Sequence, residues 1–387
     1  MMIERHITAE LKALAEKYPI VTVIGPRQAG KTTLVKKVFA HLPYINLEMP
    51  ELRAIAEMDP NALFARYPEG MVLDEIQRVP GLLSYLQVIV DEKNKKGMFI
   101  LTGSHQLALH QAITQSLAGR TALLTLYPLS LAELASQKLS FSIDEYLLQG
   151  FYPRIYHDNL EPVKAYRNYF QTYVERDVRQ LINLKDLSVF EKFMKLCAGR
   201  VGQILNIHSL SQALGISAHT VKHWLSILEA SFVIFQLQPY FENFGKRLIK
   251  SPKLYFVDVG LASYLLDIEN IQQLSRDPLR GNLFENMVVL ELIKCRLNQG
   301  KDPHLYYYRD STQHEVDIIY KAGHELIPVE IKSSQTFHAE FLKNILFFKN
   351  LVQTRFTQGY VIYAGNEAYE MKNISLLNYL NAGASLQ

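Results

Sequence analysis

Residues 25–32 read Gly25-Pro26-Arg27-Gln28-Ala29-Gly30-Lys31-Thr32, with Thr33 following, and this stretch decides the fold. Its spacing is G-x-x-x-x-G-K-[ST], a loop whose chemistry depends on what flanks it. Tyr18 to Ile24 reads as a short buried strand, because Val21 and Val23 are β-branched, and Lys31 to Phe39 reads as an amphipathic helix. The glycines let the backbone curl so that successive N–H groups converge, and the helix adds its positive N-terminal end. Such a loop cradles phosphate. Residues 25–33 are therefore expected to bind ATP, with Lys31 neutralising the β- and γ-phosphates and the Thr32 hydroxyl ligating Mg²⁺.

Outward from the loop, Gly70-Met-Val-Leu-Asp74-Glu75 is an apolar strand ending in two carboxylates. Asp74 is expected to hold the magnesium, directly or through water, and Glu75 to orient and polarise the attacking water, which makes the activity hydrolysis. Strand-like runs recur at Tyr44 to Leu47, Met98 to Thr102 and Thr121 to Leu126, with helical patterns such as Leu82 to Lys93 between most of them. That alternation predicts an α/β core with a parallel sheet covered on both faces. Arg27 and Arg120 are both candidates for a cation that stabilises the transition state, and the pattern does not choose between them.

The remaining chain is long enough for further domains: 387 residues exceed what one core usually organises. A hydrophobic share of 48% and a charged share of 20% are those of a globular protein. The net charge of +3 is too small to imply nucleic acid by itself. Cys197 and Cys295 lie far apart in no metal-type spacing, and no run approaches the roughly 20 apolar residues of a membrane span, so a cytoplasmic protein without a membrane partner is expected. Domains are expected at 1–135 (nucleotide-binding core), 136–195 (helical lid and linker), 196–266 (winged helix-turn-helix) and 278–387 (a second α/β unit). Within the third, Ser209 to Leu214, a turn at Gly215 to Ser217 and Ala218 to Ala230 have helix-turn-helix punctuation. Ile216, Val221, Leu225 and Leu228 should face inward, leaving Ser217, His219, Thr220, Lys222 and His223 outside. Strands Phe232 to Gln238 and Lys253 to Val259 would form the wing, with Lys246, Arg247, Lys250 and Lys253 contacting phosphates if DNA is the partner.

With these residues in place the chain resembles a prokaryotic AAA-family ATPase of a widespread class whose C-terminal half is a domain of unknown function. The resemblance runs through the Gly25–Thr33 loop, Leu73-Asp-Glu-Ile-Gln77, Leu101-Thr-Gly-Ser104, Leu117-Ala-Gly-Arg120, Tyr127-Pro-Leu-Ser130, Lys253-Leu-Tyr-Phe-Val-Asp-Val-Gly260, Gly281-Asn-Leu-Phe-Glu285 and Val329-Glu-Ile-Lys332. It implies that Ser104, with Thr102 behind it, senses the γ-phosphate. Similar ATPases carry paired glycines before a proline near the nucleotide, whereas here only Gly150 precedes Pro153, which weakens any carry-over to that proline. The last unit also resembles PD-(D/E)xK nucleases: Glu285 falls on a helix, Asp317 on a strand, and Glu330 and Lys332 on one face of the next. The resemblance implies a second Mg²⁺ site at these residues, with Lys332 near the scissile phosphate and Arg309 and His314 at its margin. Two functions stay open: a DNA-engaging ATPase with a nuclease-like domain, or a nucleotide-driven switch acting on a protein partner or a second copy without cutting DNA. A small-molecule kinase is less favoured, because Glu75 suits water activation.

Overall fold

The computed structural model describes residues 3–104, 116–174, 187–241 and 249–386. They fall into two compact units. One is Met1–Leu129 with Ala230–Phe232 and Arg296–Lys301; the other is Ser130–Glu229, Val233–Cys295 and Asp302–Gln387.

The first unit is built on strands β1 (Ile20–Ile24), β2 (Tyr44–Asn46), β3 (Met71–Asp74), β4 (Phe99–Gly103) and β5 (Thr121–Thr125), ordered β2-β3-β4-β1-β5 and all parallel. A parallel sheet needs cover on both faces, and the side-chain period of two supplies it. Ile20, Ile24, Met71, Leu73, Phe99 and Leu101 enter one core with Leu63, Phe64, Leu82 and Leu86. Val21, Val23, Val72 and Ile100 enter the other with Leu11, Leu34 and Val35. Thr22 lies between the two isoleucines, and its hydroxyl pairs with that of Thr121 at 3.0 Å, so burying it leaves no orphan polar group. Helices Thr8–Ala15 and Lys31–Val38 bring Leu11, Leu34 and Val35 to the second core; Pro60–Arg66 and Leu82–Lys93 bring Leu63, Phe64, Leu82 and Leu86 to the first. Pro60 opens its helix after Asp59, whose carboxylate accepts the Ala62 N–H at 2.9 Å.

The second unit starts with short helices. Leu131–Ser136 and Ile143–Gln149 each begin with a reciprocal cap, Ser130 with Glu133 and Ser142 with Glu145. Helix Ile207–Leu214 is capped by Asn206 and ends at Gly215, whose φ of 67° lets the chain turn into Ala218–Ala230. Val221, Leu225 and Leu228 are buried, Ile216 is half-buried, Ser217, His219, Lys222 and His223 are exposed and Thr220 is half-buried. β6 (Ile234–Leu237) then pairs antiparallel with β7 (Lys253–Phe256).

Past Leu237 the described residues on either side of 242–248 bond to the second sheet. Tyr240 donates its N–H to Tyr307 at 2.7 Å, Tyr307 donates to Gln238 at 3.1 Å, and Ile249 donates to Arg309 at 3.1 Å. Gln238, Tyr240 and Ile249 therefore lie along β8 (Leu305–Arg309). Lys250 is exposed, Lys246 and Arg247 fall outside the described residues, and Lys253 corrects the expectation: it is 2% exposed and cannot reach a phosphate backbone.

After helix Arg280–Leu297 come β8, β9 (Glu315–Ala322), β10 (Glu325–Lys332), helix Lys343–Val352, β11 (Gly359–Tyr363), β12 (Glu370–Met371) and β13 (Ile374–Asn378). The sheet order is β12-β13-β11-β10-β9-β8, antiparallel through β8, β9 and β10, and parallel from β10 to β11 and β11 to β13. Two buried polar residues act as fasteners, Asp258 within a quoted motif and Asn286 directly after one. Asn286 clamps β7, accepting the Phe256 N–H at 2.8 Å and donating to its carbonyl at 2.9 Å. Asp258 caps helix Val259–Leu265 and accepts the Phe151 N–H at 2.7 Å. A Cβ on Gly150 would stand 2.3 Å from that carboxylate, so a glycine is needed there. Among the described residues no helix is long and apolar enough to cross a membrane.

Candidate functional site

At the end of β1 the backbone leaves the sheet through Gly25, whose φ is 148°; a Cβ there would lie 2.1 Å from the Leu126 carbonyl oxygen. Gln28 and Gly30 also have positive φ, of 60° and 92°, and the helix begins at Lys31. The loop is braced from outside by Arg5, a buried guanidinium that donates to the carbonyls of Ala29 and Tyr127, both at 2.6 Å.

Lys31 is 5% exposed, and its ammonium donates to the Gly25 and Pro26 carbonyls, each at 2.8 Å. Burial pushes it down to about 8, against the upward pull of Glu75 and Asp74. The Thr32 hydroxyl donates to Asp74 Oδ2 at 2.8 Å, and the hydroxyls of Tyr44 and Thr102 donate to the same carboxylate. Burial, and then the bond to Asp74, raise the Tyr44 hydroxyl well above its ordinary range, so it remains a donor. A hydroxyl and a carboxylate are the hard oxygen donors that Mg²⁺ takes alongside phosphate and water, so Thr32 and Asp74 fit that ion.

Glu75 follows in a left-handed conformation, φ 59°, which is strained for a residue with a side chain. Its N–H donates to Thr102 Oγ1 at 3.2 Å. Its carboxylate accepts the Ser104 hydroxyl at 3.0 Å and the Gln77 amide, and Gln77 also donates to Ser104 Oγ at 3.2 Å. Lys31, Thr32, Asp74, Glu75, Thr102 and Ser104 thus meet at the C-terminal ends of β1, β3 and β4. In open α/β sheets this is the end where ligands bind.

Two candidates stand elsewhere. Arg27 pairs with Glu48 at 3.2 Å at the rim of the loop. Arg120 precedes β5, and its carbonyl accepts the Ile20 N–H, so it lies level with the start of β1. Five strand residues separate that level from the loop, about 17 Å. Its guanidinium makes a two-pronged pair with Asp91, both contacts at 2.7 Å. The structure therefore does not bring Arg120 to the loop of its own chain. Tyr44, Gln77 and Arg5 belong to the site although their roles were not foreseen. Only Gln77 carried a signal, its place two residues after Glu75.

The second cluster lies wholly in the other unit. Alternation puts Glu315 and Asp317 on one face of β9, and Glu330 and Lys332 on one face of β10. The Ile331 N–H donates to Asp317 Oδ2 at 2.8 Å; Lys332 Nζ is 2.7 Å from Glu330 and 3.7 Å from Asp317. Asn344 donates to Glu330 Oε1 at 3.2 Å, while Glu330 Oε2 is buried with no hydrogen-bond partner. Glu285 joins from its helix, but through Lys253. That ammonium is 3.0 Å from Glu285, 2.6 Å from Glu315 and 3.8 Å from Asp317, and the Tyr255 hydroxyl also donates to Glu285. Arg309 reaches the cluster by pairing with Glu315 at 2.8 Å; His314 instead stacks on Phe347, ring centres 3.8 Å apart. Among the described residues no group of three carboxylate, histidine or cysteine side chains is arranged to hold a metal ion.

Burial, reinforced by Asp317, pushes Glu330 up to about 8, and burial raises Glu285 in the same sense. The unfolded value of Glu330 is near 4.5, so between that pH and about 8 the folded chain keeps a proton that the unfolded chain has lost. The stabilising contribution is full below pH 4.5 and declines as pH rises through 8, by up to roughly 1.4 kcal/mol per unit. Glu330→Gln should flatten this decline, which denaturant unfolding midpoints between pH 5 and about 9 will measure. A slope unchanged by the substitution would place the proton elsewhere.

Three family profiles match the chain: an AAA domain at residues 17–135, a domain of unknown function (DUF8612) at 140–272 and another (DUF4143) at 280–381. The uncharacterized protein Rv2008c of Mycobacterium tuberculosis (strain H37Rv) is 32% identical over 339 residues, spanning 87% of this chain and 75% of that one. An uncharacterized protein of Haemophilus influenzae is 24% identical over 366 residues, 86% of each. Among solved structures, the Walker-type ATPase PABY2304 of Pyrococcus abyssi aligns with a TM-score of 0.46 at 14% identity, over 68% of this chain and 96% of that one. AMPPCP-bound DnaA from Aquifex aeolicus aligns with 0.31 at 14% identity, over 58% and 85%.

Proposed function

We propose, from the premise that the chain belongs to the AAA-domain family of Rv2008c, that it is an Mg²⁺-dependent ATPase whose turnover is coupled to DNA. One hydrogen bond carries the ATPase reading: Thr32 Oγ1 to Asp74 Oδ2, 2.8 Å, which ties the phosphate loop to the strand bearing both acidic residues. The backbone N–H groups of residues 27–33 would surround the triphosphate, and Lys31 would neutralise its β- and γ-phosphates. Thr32 and Asp74 would hold the metal, which when bound would offset phosphate charge. Glu75 accepts the proton of the attacking water, and Ser104, bonded to Glu75, faces the γ-phosphate.

DNA engagement rests on the helix pair Ile207–Leu214 and Ala218–Ala230, which leaves Ser217, His219, Lys222 and His223 exposed at the start of its second helix, where recognition helices touch DNA. The second unit supplies a nuclease-like sheet in this reading, with Asp317, Glu330 and Lys332 on adjoining strands. The test is ATP turnover with and without single- and double-stranded DNA at low salt. Stimulation by about fivefold or more supports coupling; turnover indifferent to DNA, with no binding of either form, refutes it. That second result would favour a nucleotide-driven switch acting on a protein partner, a reading supported by the salt-bridged state of the nuclease-like cluster.

A further inference from the structure

We propose that the Lys253 ammonium is the resident cation of the C-terminal carboxylate cluster, so that this nuclease-like pocket takes no divalent metal and cleaves no phosphodiester. The inference rests on the nuclease-like reading of the sheet and is independent of the ATPase.

Strand geometry, not chance rotation of a long side chain, puts the ammonium there. Lys253 and Tyr255 are two apart on β7, so both project to one face, and both contact Glu285. β7 is itself fixed, by β6 on one edge and by the Asn286 clamp from the helix that carries Glu285. The face from which Lys253 enters the cluster is therefore set by backbone register, and its contacts with Glu285 and Glu315 hold Nζ there.

Its contacts exclude a metal. Mg²⁺ and Ca²⁺ require carboxylate oxygens at about 2.0–2.6 Å, and each carboxylate of the cluster already has an oxygen committed, Glu330 Oε2 being a buried oxygen left without a partner. Glu285 and Glu315 face Lys253 at 3.0 and 2.6 Å, and Asp317 Oδ2 accepts the Ile331 N–H. Glu330 is bonded to Lys332 and Asn344. The cations already nearly match the acids: the four carboxylates Glu285, Glu315, Asp317 and Glu330 face the three cations Lys253, Lys332 and Arg309, leaving at most one negative charge over. A divalent ion would add two charges beside a buried ammonium with no room to retreat, since the Lys253 side chain is 2% exposed. Burial alone would lower the Lys253 pKa, but the surrounding carboxylates outweigh it and hold the side chain charged.

The test measures thermal melting of the full-length, nucleotide-free protein with and without Mn²⁺, for wild type, Asp317→Asn, Lys253→Ala, Lys253→Arg and the pair Lys253→Ala with Asp317→Asn, any response shared with Asp317→Asn belonging to the Thr32 and Asp74 site. Beyond that shared response, wild type and Lys253→Arg should not respond to the metal. Lys253→Ala should melt lower and recover by about 5 °C in Mn²⁺, as expected for a ligand bound only to the folded state, and adding Asp317→Asn should abolish the recovery. A wild-type rise in melting temperature that Asp317→Asn removes would overturn the inference and leave the nuclease-like reading standing. No recovery in folded Lys253→Ala would overturn both. If Lys253→Ala does not fold, the wild type decides alone through spin-resonance counting of bound Mn²⁺: an Asp317-dependent site refutes the inference, and its absence sustains it.

Discussion

Lys31→Ala should weaken ATP binding by about 100-fold, the equivalent of about 3 kcal/mol from charge-assisted contacts to two phosphates. The structure shows why no neighbour substitutes for it. The ammonium is buried and held across the loop by two carbonyls at 2.8 Å, so it is the cation positioned inside the loop. Arg27, the nearest alternative in sequence, is paired with Glu48 at the rim. Because burial lowers Lys31 to about 8, the wild type has a further signature. Bound phosphate favours the charged form, so affinity holds below that pH and falls as pH rises through it. Lys31→Ala loses that fall. Titration with a fluorescent nucleotide from pH 6.5 to about 9.5, with circular dichroism to confirm folding, measures both effects. Tight, pH-independent binding by the variant would mean that the loop is not the nucleotide site.

The loop was legible because its chemistry is written in local backbone requirements. Gly25 and Gly30 occupy positive-φ positions between a strand and a helix, and Asp74, Glu75 and Ser104 stand at strand ends that any parallel sheet brings to the same edge. Helix Ala218–Ala230 was legible through the spacing of Val221, Leu225 and Leu228. Pro50–Met58 was not read: its hydrophobic residues alternate with Glu51, Arg53 and Glu57, and Ile55 and Met58 are exposed. β12 was missed because two residues give no pattern to read, and β13 was missed with it.

Lys253 shows where local reading stops. In sequence it ends a basic stretch and resembles a surface cation. Its partners are 32 residues away at Glu285 and farther still at Glu315, so only the tertiary fold reveals a buried ion pair. The same applies to Tyr44, an apparent β-strand aromatic whose hydroxyl bonds Asp74. Arg120 makes the opposite point. Its motif suggested a catalytic cation, but strand direction places it at the far end of the sheet.

Glu75→Gln should bind ATP about as well as wild type and turn it over about 1,000-fold more slowly, the loss expected when a positioned base is removed. The substitution keeps shape and an acceptor oxygen for Ser104, so the loop, Thr32 and Asp74 remain in place for the nucleotide. What it removes is the carboxylate's ability to take a proton from water. The hydrogen bonds around Glu75 give the split between binding and turnover a structural basis: the carboxylate now accepts Ser104 and Gln77, neither of which touches the Lys31 contacts. To meet a water, Glu75 must loosen one of these bonds. Ser104 and Gln77 already bond to each other at 3.2 Å, so the pair stays satisfied when the carboxylate moves. Phosphate release over a single turnover, measured beside nucleotide affinity, separates the two quantities. Turnover within about tenfold of wild type would assign proton transfer to another group and remove Glu75 from the reaction.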